Sequence, residues 1–229
     1  MGAWESSLQS KATFAALVVL EALGLSMASA TDSSGAVGIL TFIDVRAAAS
    51  AQAASVLQRA ARDSHRELLK EIARPDRFVL IEPGVHEPAT TGPSEDTLPA
   101  QLGVLLVAPA DRRIHHEFGE PAADQTMPGA LAHRAVYLIA HVDIGGANQP
   151  AAQDALRVIE KSGRASAGNL RFEVWQQTNR TNHYNIVAAW KSAADLDAFE
   201  ASSAARDFRK IVAPLIGSLY DERRYRRVD

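Results

Sequence analysis

Aliphatic residues recur at nearly every second position in two stretches of the chain, in the same phase. Val37, Ile39, Thr41, Ile43 and Val45 alternate with Gly38, Leu40, Phe42 and Asp44. Val136, Leu138, Ala140, Val142 and Ile144 alternate in the same way with Tyr137, Ile139, His141 and Asp143. A period of two predicts a strand with at least one buried face, and the matching Asp44 and Asp143 are 99 positions apart. Behind each strand the period lengthens. Ala53, Val56, Leu57 and Ala60, and later Ala152, Ala155, Leu156 and Ile159, fall at the i, i+3, i+4, i+7 spacing of an amphipathic helix, with Pro150 suited to a first turn.

Paired strands follow. In the first copy they are predicted over 67–73 and 77–82 around a turn at Arg74-Pro75-Asp76, and in the second over 170–176 and 183–190 around a polar turn at 178–182. A second helix carries Leu98, Leu102, Leu105 and Leu106 in copy one, and Leu196, Phe199, Phe208, Ile211, Val212 and Leu215 in copy two. Charged strands close each copy, over 112–118 and 220–228. The order β-α-β-β-α-β, met twice, is the ferredoxin-like pattern. Helices on one face of such a sheet leave the other face in need of a partner. The predicted fold is therefore α+β, with two repeats paired inside one chain as a barrel-like pseudo-dimer. The first copy is degenerate: Gly84, Pro88, Gly92, Pro93 and Asp96 replace the start of its second helix with a loop.

At 229 residues the chain has ample length for such a core, and its net charge of −3 gives no field to attract nucleic acid. There is no cysteine, which excludes disulfides, thiolate nucleophiles and cysteine-held metals. Lys11 precedes an apolar run that ends in Ala28-Ser29-Ala30, which fits a secretory signal over 1–30, although Glu5 and Glu21 interrupt the pattern. The alternatives are an amphipathic N-terminal helix or a start at Met27. The run is too short and interrupted for stable membrane insertion. An exported protein is expected if the segment is cleaved, and a cytoplasmic one otherwise. The expected bounds are a first repeat over 31–120, a linker over 121–133 and a second repeat over 134–229. The Arg223, Arg224, Arg226, Arg227 cluster reads as a solvated edge strand, split between two faces by alternation.

The second copy resembles an antibiotic biosynthesis monooxygenase domain of the dimeric α/β-barrel superfamily. The resemblance rests on 169–174, on Asn182-His183-Tyr184 leading to Ala188-Ala189-Trp190-Lys191-Ser192, and on the helix through Phe199 and Phe208 followed by Tyr220-Asp221-Glu222-Arg223. It covers most of 134–228, with a poorer copy over 36–119. It implies cofactor-independent oxidation of a quinol or small polyphenol, in a pocket between the sheet and its covering helices, with the deprotonated substrate itself reacting with oxygen. The implied partner is a small aromatic molecule, with no nucleic acid, and the implied assembly is a monomeric pseudo-dimer or a homodimer.

Trp190 matches a tryptophan that lines the pocket in several relatives. His141 is the candidate base, because imidazole titrates near neutrality, with Tyr137 and Asp143 on the same face of its strand. Trp175, Tyr184, Asn185 and Phe199 complete the candidate substrate-binding set. Two departures stand beside these. Ile186 occupies the position where some relatives place a substrate-holding Asn, with Asn185 turned to the opposite face, and the stretch 197–206 has no His. Both favour the second reading, a nonenzymatic small-molecule or haem-binding barrel or a stress-associated protein. No metal site is expected: His115 and His116 point to opposite faces. His183 is expected to be exposed.

Overall fold

The computed structural model describes residues 37–63, 66–85, 98–119 and 133–228. The candidate signal over 1–30, nearly all of the 121–133 linker and most of the copy-one loop lie outside the described residues.

Within the compact unit that starts at Ser34, alternation produces the predicted strands. In copy one these are β1 (Val37–Asp44), β2 (Glu67–Glu71), β3 (Arg77–Val85) and β4 (Asp111–Phe118), with α1 (Ser50–Asp63) between β1 and β2. In copy two they are β5 (Val136–Asp143), β6 (Asn169–Gln177), β7 (His183–Trp190) and β8 (Asp221–Arg227), with α2 (Gln149–Arg164) after β5. The long second helix of copy two is two helices, α3 (Ala193–Glu200) and α4 (Ser203–Val212). Each starts on a serine cap: Ser192 accepts from the Asp195 amide and Ser202 from the Ala205 amide. Among the described residues its copy-one counterpart is a 3₁₀ segment, Ala100–Leu105, that buries Leu102 and Leu105. So few residues cannot repay the cost of nucleating an α-helix.

The strands close into a barrel in the order β1-β3-β2-β8-β5-β7-β6-β4. Each repeat keeps the ferredoxin-like order, and the two meet at two seams, β2 on β8 and β6 on β4. β8 is therefore an inner strand of the barrel, which corrects the expectation of a solvated edge. Closure leaves no edge to solvate.

Every pairing is antiparallel. Stepping around the barrel, β1 and β5 therefore run in the same direction, and the pseudo-two-fold axis lies along the barrel. Corresponding residues of the two repeats then meet at the same end.

Alternation divides the side chains into layers. Leu40, Leu69, Val79, Ile81, Tyr137, Ile139, Trp175, Val187 and Tyr225 fill the barrel interior. On the outside, one cluster packs α1 and the 3₁₀ segment against copy one, and a larger one packs α2, α3 and α4 against copy two. Gly38 allows the interior to close, since a Cβ there would sit 2.7 Å from the Trp175 ring.

Candidate functional site

Where β1, β4, β5 and β8 present their interior faces at the C-terminal end of β1 and β5, the barrel opens into a cavity of about 380 Å³. Its floor is Phe42, Ile139 and Tyr225, and its rim carries Asp44, Arg77, Asp111, Arg113, His141, Asn185, Asp221 and Arg223. Strand register explains the set. Asp44 faces Arg77, His141 faces both Asn185 and Asp221, and Asp143 faces His183. The sequence Asp-x-Arg opens both β4 and β8, and a period of two aims both members inward.

Two chains of polar groups run around this mouth, related by the pseudo-two-fold. On the copy-one side Asp44 holds Arg77 at 2.8 Å, and the buried Glu71 carboxylate lies between Arg77 at 3.9 Å and Arg223 at 3.2 Å. Arg223 in turn holds Asp221 at 2.8 Å. On the copy-two side Asp111 holds Arg113 at 2.6 Å, and the Arg113 Nη1 lies 3.3 Å from His141 Nδ1. His141 Nε2 lies 3.3 Å from His183 Nδ1, and His183 Nε2 lies 3.4 Å from Asp143. A guanidinium can only donate. His141 Nδ1 is therefore the acceptor, its Nε2–H donates to His183 Nδ1, and the His183 Nε2–H faces the Asp143 carboxylate.

Burial, then the Arg113 charge and the neighbouring His183, push His141 down to about 4, so it is a neutral imidazole at pH 7. Burial also lowers His183, partly offset by Asp143. Only 15% of the His183 side chain is exposed, which corrects the expectation of an exposed residue. His115 faces inward, 2.8 Å from Asn185, and burial lowers it to about 4. His116 bonds Gln176 on the other face at 2.8 Å. Among the described residues no group of three or more His, Asp or Glu side chains could hold a metal.

The other sequence candidates separate into layers. Asn185 is fully buried and lines the cavity with His141. Tyr137 and Trp175 lie deeper in the barrel interior, and burial raises the Tyr137 hydroxyl well above the usual tyrosine range. Trp190, Tyr184 and Phe199 are on the helix side of the sheet, in the copy-two core. The pocket expected there is filled: the space among Phe172, Phe199 and Phe208 is about 10 Å³. Trp190 is fully buried, with Phe172 at 5.9 Å and Phe199 at 5.0 Å, and donates to Ser166 at 3.3 Å. It shares no cavity with His141, because alternation sends Trp190 and its β5 partner Val136 outward while His141 points inward. Sequence reasoning missed Phe42, Asp44, Arg77, Arg113, Arg223 and Tyr225. The repeated Asp-x-Arg and the repeated aspartate at the ends of β1 and β5 were the signals that could have found them.

Two ferredoxin-like repeats closing one eight-stranded barrel define the class, a dimeric α/β barrel with both halves in a single chain. Residues 135–211, within the second repeat, match the family model of antibiotic biosynthesis monooxygenases. Three solved structures show the same fold. A candidate monooxygenase from Lactobacillus acidophilus NCFM has a TM-score of 0.60 at 9% identity, covering 85% of this chain and 95% of its own. A candidate monooxygenase from Fusobacterium nucleatum has 0.65 at 7%, covering 85% and 94%. An anthrone oxidase-like protein has 0.63 at 11%, covering 85% and 92%. No curated protein matches the chain.

Proposed function

We propose that the chain is a cofactor-independent monooxygenase of a quinol or small polyphenol, and that the reaction takes place in the barrel mouth beside His141. The observation that carries this reading is one cavity combining an aromatic floor, a neutral imidazole and a guanidinium within 3.3 Å of it. The family match over 135–211 supports monooxygenase chemistry in general.

An aromatic ring lies on Phe42 and Tyr225, and its hydroxyl displaces the Arg113 Nη1 from His141 Nδ1. The proton passes to Nδ1, the Nε2 proton passes to His183, and the His183 Nε2 proton passes to Asp143. An imidazole titrating at about 4 cannot hold a phenolic proton. Relay through the carboxylate at the rim releases that proton to solvent while Arg113 stabilises the phenolate left behind. The electron-rich anion then reduces oxygen. One oxygen atom replaces the hydrogen of a ring C–H bond and the other leaves as water; the quinol supplies all four electrons and both hydrogens of that water and departs as a hydroxyquinone.

Oxygen uptake by the purified chain with a panel of reduced quinols tests the proposal. Uptake that His141→Ala and Arg113→Gln abolish is expected. No uptake above the His141→Ala background with any quinol overturns it. A nonenzymatic barrel that binds haem or another small molecule is the second reading. It is favoured, in its small-molecule form, by the engagement of both His141 ring nitrogens, which leaves none free for a base and none for haem iron, so a small aromatic ligand bound without oxygen uptake would support it.

A further inference from the structure

The pseudo-two-fold is broken at several places in the mouth: Phe42 answers to His141, Arg77 to His183 and Glu71 to Gln177. On the copy-one side the Glu71 carboxylate lies between Arg77 and Arg223. The seams give its counterpart. Glu71 faces Tyr225 on β8, and the equivalent position, facing His115 on β4, is Gln177. A carboxylate has become an amide. Nearby, the copy-one turn carries Arg74 and Asp76, and the matching copy-two turn carries Arg180 and Asn182, so a second carboxylate has become an amide while the arginine is kept. Arg112 on β4 stands where β8 has Glu222.

The space between Arg113 and His183, which corresponds to that of Glu71 across the axis, is a polar cleft of about 260 Å³. Arg112, Arg113, Arg180, Gln177, His141 and His183 line it, and Asp111 is its one carboxylate. It shares Asp111, Arg113 and His141 with the aromatic cavity, so the two spaces meet at the imidazole. The arginines act on its histidines, since Arg180 and Arg113 both contribute to lowering His183.

We propose that this cleft holds an anionic substituent, a carboxylate, of the ligand whose ring occupies the aromatic cavity, so that the ligand supplies the anion that Glu71 supplies on the other side. This rests on the proposed placement of the aromatic ring and narrows the substrate class to hydroxyaromatic carboxylates. Charge-assisted hydrogen bonds to guanidinium are the strong ones, and the cleft also offers Gln177, Asn179 and His183 as neighbours. Anchoring at one end directs the ring hydroxyl to His141.

The probes are 2,5-dihydroxyphenylacetate and its uncharged methyl ester, with binding measured calorimetrically under anaerobic conditions. The acid should bind about tenfold more tightly than the ester, a difference of about 1.4 kcal/mol. Gln177→Glu places the Glu71 carboxylate in the cleft and should remove the preference while leaving ester binding. Arg180→Gln, in an exposed turn, should reduce the preference several-fold, and Arg74→Gln across the axis should leave it unchanged. Equal affinity for acid and ester overturns the proposal. So does a preference that survives both Gln177→Glu and Arg180→Gln, or one that Arg74→Gln reduces equally. Oxygen uptake, measured separately, distinguishes this from the monooxygenase reading. An acid preference without uptake sinks the activity and leaves the subsite standing. Uptake without an acid preference does the reverse.

Discussion

Truncating Trp190 to alanine tests whether this residue supports the core or the ligand site. Its side chain is fully buried on the helix side of β7, against the rings of Phe172 and Phe199, with its indole N–H on Ser166. Replacing a buried Trp by Ala costs about 3–5 kcal/mol. Two ring contacts, each worth about 0.5–1.5 kcal/mol beyond burial, place this site in the upper half of that range. For a domain of this size each kcal/mol lowers Tm by about 2–4 °C, so the variant should melt roughly 10–20 °C below the parent. Urea unfolding followed by far-ultraviolet circular dichroism gives the free energy directly. Trp190→Phe keeps most of the volume, and that folded variant should bind a quinol as the parent does. A loss below about 1.5 kcal/mol in Trp190→Ala would show that the packing argument is wrong. Tenfold weaker quinol binding by folded Trp190→Phe would restore the indole to the ligand site.

Gly163 on α2 faces the Phe172 ring so closely that a Cβ would sit 2.1 Å from it. Overpacking should therefore outweigh the helix-propensity gain of about 1 kcal/mol, and Gly163→Ala should lose about 1–2 kcal/mol in urea unfolding rather than gain stability. His115 is fully buried beside Asn185 and titrates at about 4 in the folded protein against 6.5 unfolded. Between those values the unfolded chain binds the extra proton, so the His115 contribution to stability falls as pH drops from 6.5 to about 4, by an amount on the order of 3 kcal/mol. His141, also lowered to about 4, adds a slope of the same sign, so His115→Gln should make that part of the profile shallower without removing it. Glu160, buried and bonded to Arg164 and the Val174 amide, titrates at about 7 against 4.5 unfolded. The folded protein therefore holds the extra proton between those values, so the Glu160 contribution falls as pH rises from 4.5 through 7 and opposes the histidine slope, and Glu160→Gln should give denaturation curves whose stability rises more steeply with pH across this range.

Much of the fold was legible because hydrophobic period reports which face is buried. The alternation at 37–45 and 136–144 became β1 and β5, and the stripes at Ala53 and Ala152 became the inner faces of α1 and α2. Period fails where an element is short. Leu98 to Leu106 carries helical spacing, yet only a 3₁₀ turn forms. The site was less legible. His141 and Asn185 could be named from strand and residue type, but Arg113, 28 positions from His141, meets it only because barrel closure places β4 at the same mouth. Trp190 was drawn to the site by family likeness, and its own alternation with Asn185 on β7 already placed the two on opposite faces. β8 reads as an edge from its charge, because nothing local reveals that β2 of the other repeat pairs with it.

The two seams also determine what the mouth can become. In a barrel made from two identical chains, any substitution is made twice, and a histidine introduced at position 141 would face a second histidine at the position of Phe42. Here the halves are covalently joined but independently written. Phe42 stays aromatic while its counterpart is an imidazole, and Glu71 stays acidic while its counterpart is an amide. The tandem chain can therefore give this mouth a head and a tail, which a symmetric pair of subunits cannot do.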